Sequence, residues 1–208
     1  MDLHVYERLR LPEGIKLEIV SEGSLYKGRL WIELARQIYC ENGKDGFRDI
    51  GHFSSGAPFL YDADERISIS HTDGCFVVAT IPVAPDAKLG EFSPETALGV
   101  DVERRDREKA LTLRDRFLSS EELERLKPST VEACVTAWCA KEAMLKAGMD
   151  PAINWRDDIV IDALPTSDKP GAGHILLADT EGGKRRHDFR LTLHPLPSHL
   201  VVLASIIS

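Results

Sequence analysis

One segment of the chain, residues 131–148, constrains the fold more than any other because it has the spacing of a long α-helix. Its apolar side chains recur at helical steps, which places them on one face. This apolar stripe consists of Val131, Val135, Trp138 and Leu145. A capping box, Ser129 with Glu132, precedes the segment, and Gly148 is typical of a helix end. We predict a long helix that packs this stripe against the core.

The middle of the stripe, position 142, is a glutamate. An ionised carboxylate in an apolar seam is costly unless it is paired, protonated or bound to a metal. Lys141 and Lys146 flank it in the sequence. A surface pair of Glu142 with Lys146 is the alternative, but it does not explain why an acid interrupts the stripe. We therefore interpret Glu142 as a functional residue.

Segments of alternating or continuously apolar residues surround this helix and predict strands. They are LHVYERL (3–9), KLEIVSE (16–22), ISISH (67–71), CFVVATI (75–81), LGVDVE (98–103), DIVIDAL (158–164), GHILLAD (173–179), HDFRLTLH (187–194) and HLVVLASII (199–207). Further helices are predicted at 29–43, at 107–117 and, behind a capping box from Ser119 to Glu122, at 119–127. This mixture predicts an α+β fold.

A loop with three prolines, residues 82–97, separates two parts of the chain, 1–97 and 98–208. Residues 69–81 and 192–206 repeat one pattern of strand, histidine, turn and a strand that contains Val-Val. If this internal repeat is real, the chain forms two similar α+β lobes with a cleft between them, and ligands commonly bind in such clefts. The alternative is that any two hairpins look alike.

The strand GVDVE, residues 99–103, places Asp101 and Glu103 on one face, because side chains two apart in a strand point the same way. A solvated strand end would explain these five residues equally well. Together with Glu142 and two lysines, however, the acids suit a phosphoanhydride: carboxylates hold Mg²⁺ and lysines neutralise a departing phosphate.

Composition excludes several classes of protein. The chain has 208 residues and a formal net charge of −8, which disfavours nucleic acid as a partner. No apolar run reaches the ~20 residues that span a bilayer, and the N-terminus does not resemble a secretory signal. The four cysteines suggest no disulfide framework. We expect a cytoplasmic protein.

These motifs resemble those of the 4′-phosphopantetheinyl transferases, in the two-lobed branch that activates surfactin synthetase. That family carries G-[IV]-D-[IV]-E followed by W-x-x-K-E-A-x-x-K, here GVDVE at 99–103 and WCAKEAMLK at 138–146. Between them, RFLSSEELERL at 116–126 is similar to a segment of the family. Upstream, SISHT at 68–72 is similar to N-[IV]-S-H-[ST]. The resemblance covers residues 56–148 in the family's order.

The resemblance implies a fold of two similar lobes with internal pseudo-twofold symmetry, the active site in the cleft, and a monomer. It implies Mg²⁺-dependent transfer of the phosphopantetheine arm of coenzyme A to a serine of an apo carrier protein, with release of adenosine 3′,5′-bisphosphate. The matching residues fall into three groups. The metal-binding acids are Asp101, Glu103 and Glu142; the residues of the reaction are Glu142 and Lys146; the coenzyme A contacts are Ser70, His71, Lys141, Lys146, Gly56 and Pro58.

The sequence departs from the family at two positions. The family's G-[KR]-P is GAP here, so Ala57 brings no charge, and Lys27, Arg29 or Arg36 would have to replace the basic side chain. The family's asparagine is Ser68. Another Mg²⁺-dependent phosphoester enzyme, or a homologue that binds coenzyme A or carrier protein without catalysis, therefore remain alternatives.

The segment after the acidic strand predicts a protein partner. Residues 104–116 contain six basic and three acidic side chains in an otherwise acidic chain. A solvated helix of mixed charge would have the same composition. Carrier proteins are generally acidic, so the resemblance makes this segment a candidate docking face. We expect neither nucleic acid nor a membrane as a partner.

Overall fold

A computed structural model of the chain describes residues 4–22, 33, 36–37, 39–41, 49–53, 56–61, 64–83, 92–150, 152–180 and 182–206. Residues 33, 36–37 and 39–41 are helical. The rest of the helix predicted over 29–43 lies outside the described residues.

The first part of the chain forms an antiparallel sheet. Its strands are β1 (His4–Arg10), β2 (Lys16–Glu22), β5 (Glu65–Thr72) and β6 (Cys75–Pro82), in the order β1-β2-β6-β5. A separate hairpin consists of β3 (Ile50–His52) and β4 (Pro58–Leu60). The turn from β5 to β6 consists of Asp73 and Gly74, and Gly74 has the positive φ of 78° that favours glycine. The predicted strands and this hairpin are confirmed.

The second part contains a five-stranded antiparallel sheet and four helices. The strands are β7 (Leu98–Arg104), β8 (Ile159–Ala163), β9 (Gly171–Ala178), β10 (Lys184–Pro195) and β11 (His199–Ile206), in the order β7-β11-β10-β9-β8. The helices are α1 (Glu108–Thr112), α2 (Arg114–Phe117), α3 (Ser120–Leu126) and α4 (Val131–Gly148). The predicted α+β class is confirmed. The two similar lobes, their cleft and the boundary between residues 97 and 98 stay predictions.

Two details of the helix predictions are wrong. The capping box at α3 is present, but the N-cap of α4 is Thr130, whose hydroxyl accepts from the backbone N–H of Ala133 at 3.1 Å. The predicted box is absent because Thr130 and not Ser129 is the N-cap, which places Glu132 at N2 and not at the N3 position of a box; its carboxylate pairs with Arg105 at 2.8 Å. The single helix predicted over 107–117 is divided between α1 and α2 at Leu113.

The buried face of α4 also differs from the predicted stripe. Val131, Trp138 and Leu145 are only partly buried and lie at the border of the interface. Of the stripe, Val135 is fully buried, and the rest of the buried face is built mostly from small side chains, among them Ala137, Ala140, Ala143 and Ala147. Small residues let the helix axis approach the sheet, and a Cβ on Gly99 would overlap the carbonyl oxygen of Ala143. The position of α4 therefore depends on close backbone contact with β7.

The two sheets share a hydrophobic core. The first sheet contributes residues such as Leu17 and Val77, and the second contributes Val100, Val102 and Val201. Helix α4 covers the opposite face of the second sheet. Strand β7 therefore has its valines in one core and its other face, with Gly99, against α4. Among the described residues, no helix has the length and hydropathy needed to cross a bilayer.

Candidate functional site

The candidate site lies where the edge strands of the two sheets meet. Strand β5 is the last strand of the first sheet, and β7 is the first strand of the second. Edge strands leave backbone N–H groups without a ladder partner. Here the N–H of Val100 donates to the Ser68 hydroxyl at 3.0 Å, and the N–H of Val102 donates to the Ser70 hydroxyl at 3.3 Å. These bonds bring SISHT and GVDVE together.

Asp101 is the centre of this junction and is almost completely buried. Its Oδ1 accepts hydrogen bonds from the Ser70 hydroxyl at 2.7 Å and from Lys146 Nζ at 2.8 Å. Lys146 also donates to the carbonyl of Val100 at 3.0 Å. The other oxygen, Oδ2, is buried without a hydrogen-bond partner among the described residues. Burial, and secondarily the charge of Asp101, raises the pKa of the nearby Cys139 thiol well above its usual value.

Glu142 lies on α4 close enough to Asp101 for their charges to interact. Burial is the first cause that raises the pKa of Glu142, and the negative charge of Asp101 is the second. The positive charges of Lys146 and Arg107 lower this pKa and only partly compensate. The structure therefore places two predicted acids, Asp101 and Glu142, and the predicted lysine, Lys146, in one electrostatically coupled group.

Glu103 is nearby but has a different partner. Its Oε1 forms an ion pair with Arg107 Nη1, and its Oε2 accepts from the Thr72 hydroxyl at 3.4 Å. The Arg107 guanidinium lies 5.2 Å from the centre of the Trp138 ring. Sequence reasoning missed Arg107 as the partner of Glu103. The one available signal was that this basic residue follows the acidic strand closely in the sequence.

The three predicted metal ligands do not converge on one point. Among the described residues, the one group of at least three potential ligands with all ligand atoms within 4.8 Å of one another is Asp162, His174 and Asp188, on the far strands of the second sheet. At the candidate site, Lys146 holds Asp101 and Arg107 holds Glu103.

The donor set nevertheless fits the divalent cation that the resemblance implies. Asp101 has a buried oxygen without a hydrogen-bond partner in the described part of the chain, and Glu142 is a carboxylate whose charge its surroundings disfavour. Hard oxygen ligands of this kind suit Mg²⁺. Glu103 would join them through Oε1 only after that oxygen leaves Arg107.

Lys141 lies away from this group. Its side chain is 0% exposed, and it donates to Glu122 Oε2 at 2.8 Å and to the carbonyls of Arg156, at 3.0 Å, and Ile159. These three bonds use all three ammonium protons. The predicted contact of Lys141 with coenzyme A phosphates therefore has no donor left to make it. Sequence reasoning also missed Glu122 as the buried partner.

The remaining predicted contacts are on the first sheet. His71 is exposed near the end of β5, where partial desolvation and then the charge of Lys146 lower its pKa, while Asp101 raises it. Gly56, with a φ of 86°, lies in the turn between β3 and β4, and Pro58 is the first residue of β4, which packs next to β5. Their contacts with coenzyme A stay predictions.

Of the possible substitutes for the missing basic residue at Ala57, one is described. Arg36 donates to the backbone carbonyl of Ile50, so that bond occupies part of its guanidinium. Lys27 and Arg29 lie outside the described residues.

Comparison with known proteins gives a match for the part of the chain that begins at β7. No curated protein matches the chain. Residues 97–194, just under half of the chain, match a family model. That segment includes Asp101, Glu103, Glu142 and Lys146, together with most of the second sheet. The part of the chain that carries the coupled acids and the lysine is thus similar to the 4′-phosphopantetheinyl transferase superfamily.

Proposed function

We propose that the protein transfers the 4′-phosphopantetheine arm of coenzyme A to a serine of an apo carrier protein and releases adenosine 3′,5′-bisphosphate. The observation that carries this proposal is the environment of Asp101. Its Oδ1 is held by Ser70 and Lys146, its Oδ2 is buried without a hydrogen-bond partner among the residues that the structure describes, and its charge acts on Glu142. The family match covers the same acids and lysine.

Asp101 and Glu142, joined by Glu103, would hold Mg²⁺. When bound, this ion neutralises the charge of the pyrophosphate of coenzyme A. Lys146 would assist the leaving bisphosphate, because a fixed ammonium stabilises charge that develops on a departing phosphate. Lys146 is already positioned by two acceptors, Asp101 and the carbonyl of Val100, so it needs little reorganisation.

Glu142 is the candidate general base. Without a bound ion, burial and the negative charge of Asp101 raise the pKa of Glu142, so this carboxylate accepts a proton more readily than an exposed glutamate does. The serine oxygen of the carrier protein would attack the phosphorus that bears the pantetheine. Its proton passes to Glu142, and the bond from that phosphorus to the oxygen of the bisphosphate breaks. Each bond that forms is matched by one that breaks.

The carrier protein would dock on the basic segment 104–116. Arg104 and Arg105 pair with Asp106 and Glu132, while Lys109 and Arg116 are exposed. An acidic helix of a carrier protein complements such a surface and would place its serine near β7. We further propose that the protein acts as a monomer in the cytoplasm.

Mass spectrometry of an apo carrier protein incubated with coenzyme A and Mg²⁺ tests the proposal. We expect a gain of one phosphopantetheine per carrier protein, and no gain with E142Q. Hydrolysis of coenzyme A without modification of the carrier would favour another Mg²⁺-dependent phosphoester enzyme. Binding of coenzyme A without either reaction would favour a non-catalytic homologue.

A further inference from the structure

Arg107 lies at the edge of the acid site, next to one of the predicted metal ligands. It pairs with Glu103, whose side chain is 13% exposed, and its own side chain is 34% exposed. The pair is therefore on the accessible side of the site, where solvent and small ions reach it. Of the three predicted metal ligands, Glu103 is the one that forms an ion pair with an arginine among the described residues.

Two further contacts orient Arg107 towards the acids. Its guanidinium lies over Trp138, which packs edge-on against Phe117 at 5.2 Å and against Trp155 at 4.7 Å between ring centres. A cation over an indole face is attracted by the ring quadrupole. The charge of Arg107 also lowers the pKa of Glu142, so the guanidinium acts on both carboxylates.

We propose that Arg107 is a tethered counter-cation that competes with the divalent ion for Glu103. This inference rests on the proposed function, because it concerns how the same acid site takes up its metal. A divalent ion and a guanidinium cannot both lie against the same carboxylate oxygen. Metal binding through Glu103 Oε1 therefore requires the Arg107–Glu103 pair to open, and metal binding through Oε2 would bring the ion close to the guanidinium charge, which repels it.

The arrangement of the acids fits this competition. Arg107 holds Glu103 Oε1 while its guanidinium lies over Trp138, and among the described residues the oxygens of Glu103, Asp101 and Glu142 do not form a group with all ligand atoms within 4.8 Å of one another. A site whose competent form is only partly populated binds its ligand more weakly by that fraction. Arg107 thus lowers the apparent affinity for the metal and keeps the acids neutralised when no ion is bound.

Titration of the purified full-length protein with Mn²⁺, followed by the electron paramagnetic resonance signal of the free ion, tests the inference without measuring activity. Mn²⁺ is the probe because it takes the oxygen ligands that Mg²⁺ takes. R107Q and R107M both remove the charge, and R107M keeps an unbranched apolar chain over Trp138 in case the glutamine disturbs folding. R107K keeps the charge.

We expect R107Q and R107M to bind Mn²⁺ about fivefold more tightly than the wild type, a change of the size that a partly exposed ion pair contributes. R107K should stay within about twofold of the wild type, since its ammonium still competes. The matched control is R104Q, because Arg104 forms an exposed pair with Asp106 and not with a site acid. It should leave Mn²⁺ affinity unchanged.

A third substitution ties the effect to Glu103. In an E103Q background, R107Q should no longer tighten Mn²⁺ binding. Equal or weaker binding by both charge-removing variants overturns the inference, and so does a gain that persists with E103Q. If the wild type transfers phosphopantetheine while R107Q and R107M show no gain in affinity, the proposed function stands and only the inference fails. If neither the wild type nor the variants bind Mn²⁺, both the proposed metal site and the inference about Arg107 are refuted.

Discussion

Two lysines of α4 each pair with a carboxylate from another element, and the two pairs differ in how far solvent reaches them. Lys141 and Glu122 are both 0% exposed, whereas Lys146 and Asp101 are 30% and 8% exposed. Every proton of the Lys141 ammonium has an acceptor, and both oxygens of Glu122 accept hydrogen bonds. Asp101 keeps one buried oxygen without a partner among the described residues.

This difference separates a fully satisfied pair from one that can still bind a ligand. The Lys141–Glu122 pair, here called the sealed pair, joins α3, α4 and the start of β8, because Glu122 Oε1 accepts from the N–H of Ile161 and Lys141 donates to the carbonyl of Ile159. It has no donor or acceptor left for a ligand. The Lys146–Asp101 pair, here called the open pair, lies at the junction of two sheets; among the described residues it keeps an acceptor without a partner, and its charges act on a second acid, Glu142. Burial of a charge alone does not identify a site.

The largest expected effect is on the sealed pair. K141M removes the cation but keeps the apolar stem, and leaves the Glu122 carboxylate buried without a counter-charge. Breaking a buried pair in this way costs ~3–5 kcal/mol of the free energy of unfolding. Urea unfolding measures this loss, and K109M, at an exposed lysine of α1, is the matched control.

A double substitution checks the cause of that loss. Adding E122Q to K141M removes the uncompensated charge and should restore part of the stability. A loss below about 1 kcal/mol for K141M would mean that Lys141 is not the structural lysine, and the comparison between the two pairs would fail.

The open pair is expected to respond in activity and not in stability. K146M should lower the rate of phosphopantetheine transfer by about 10²–10³-fold, the range for losing one fixed donor to a developing charge. Its unfolding free energy should change by far less than that of K141M, because Lys146 is partly exposed and its pair with Asp101 is partly solvated. Initial rates from the mass-shift assay and urea curves on the same samples measure both. Retention of full activity by K146M would refute its role.

Much of the fold was predictable from local patterns. Alternating or continuously apolar runs located the strands of the two larger sheets but not the short strands β3 and β4, and the capping box at Ser119 located the start of α3. The buried face of α4 was not predictable in the same way. Its core contacts are made mainly by alanines, which weigh little in a hydrophobic pattern, so the larger side chains of Trp138 and Leu145 at the border dominated the prediction.

The sequence pointed to residues that lie near one another, but not to their pairing. The resemblance named Asp101, Glu142 and Lys146, and in the structure Lys146 pairs with Asp101 and the charges of both act on Glu142. The resemblance also pointed to Lys141, which is adjacent to Glu142 in the sequence, whereas Lys146 follows Glu142 by four residues. Which lysine faces the core depends on the rotation of α4 against the sheet, and that follows from the contact of Gly99 with the helix backbone. Contacts between distant segments of this kind leave no local pattern.

The smallest expected effect concerns Glu142 and its dependence on pH. Because the folded protein raises the pKa of Glu142, folding is penalised when this carboxylate is ionised and not when it is protonated. The penalty is absent below the ordinary glutamate pKa of about 4.3 and is complete once the pH exceeds the raised value. E142Q never ionises and should therefore be more stable than the wild type at neutral pH, with the gain shrinking as the pH falls.

Urea unfolding across this pH range measures the difference in stability, and EDTA in the buffer keeps metal ions away from the acids. A gain that does not vary with pH would show that repacking and not charge causes it, and Glu142 would then no longer share the electrostatic character of the open pair.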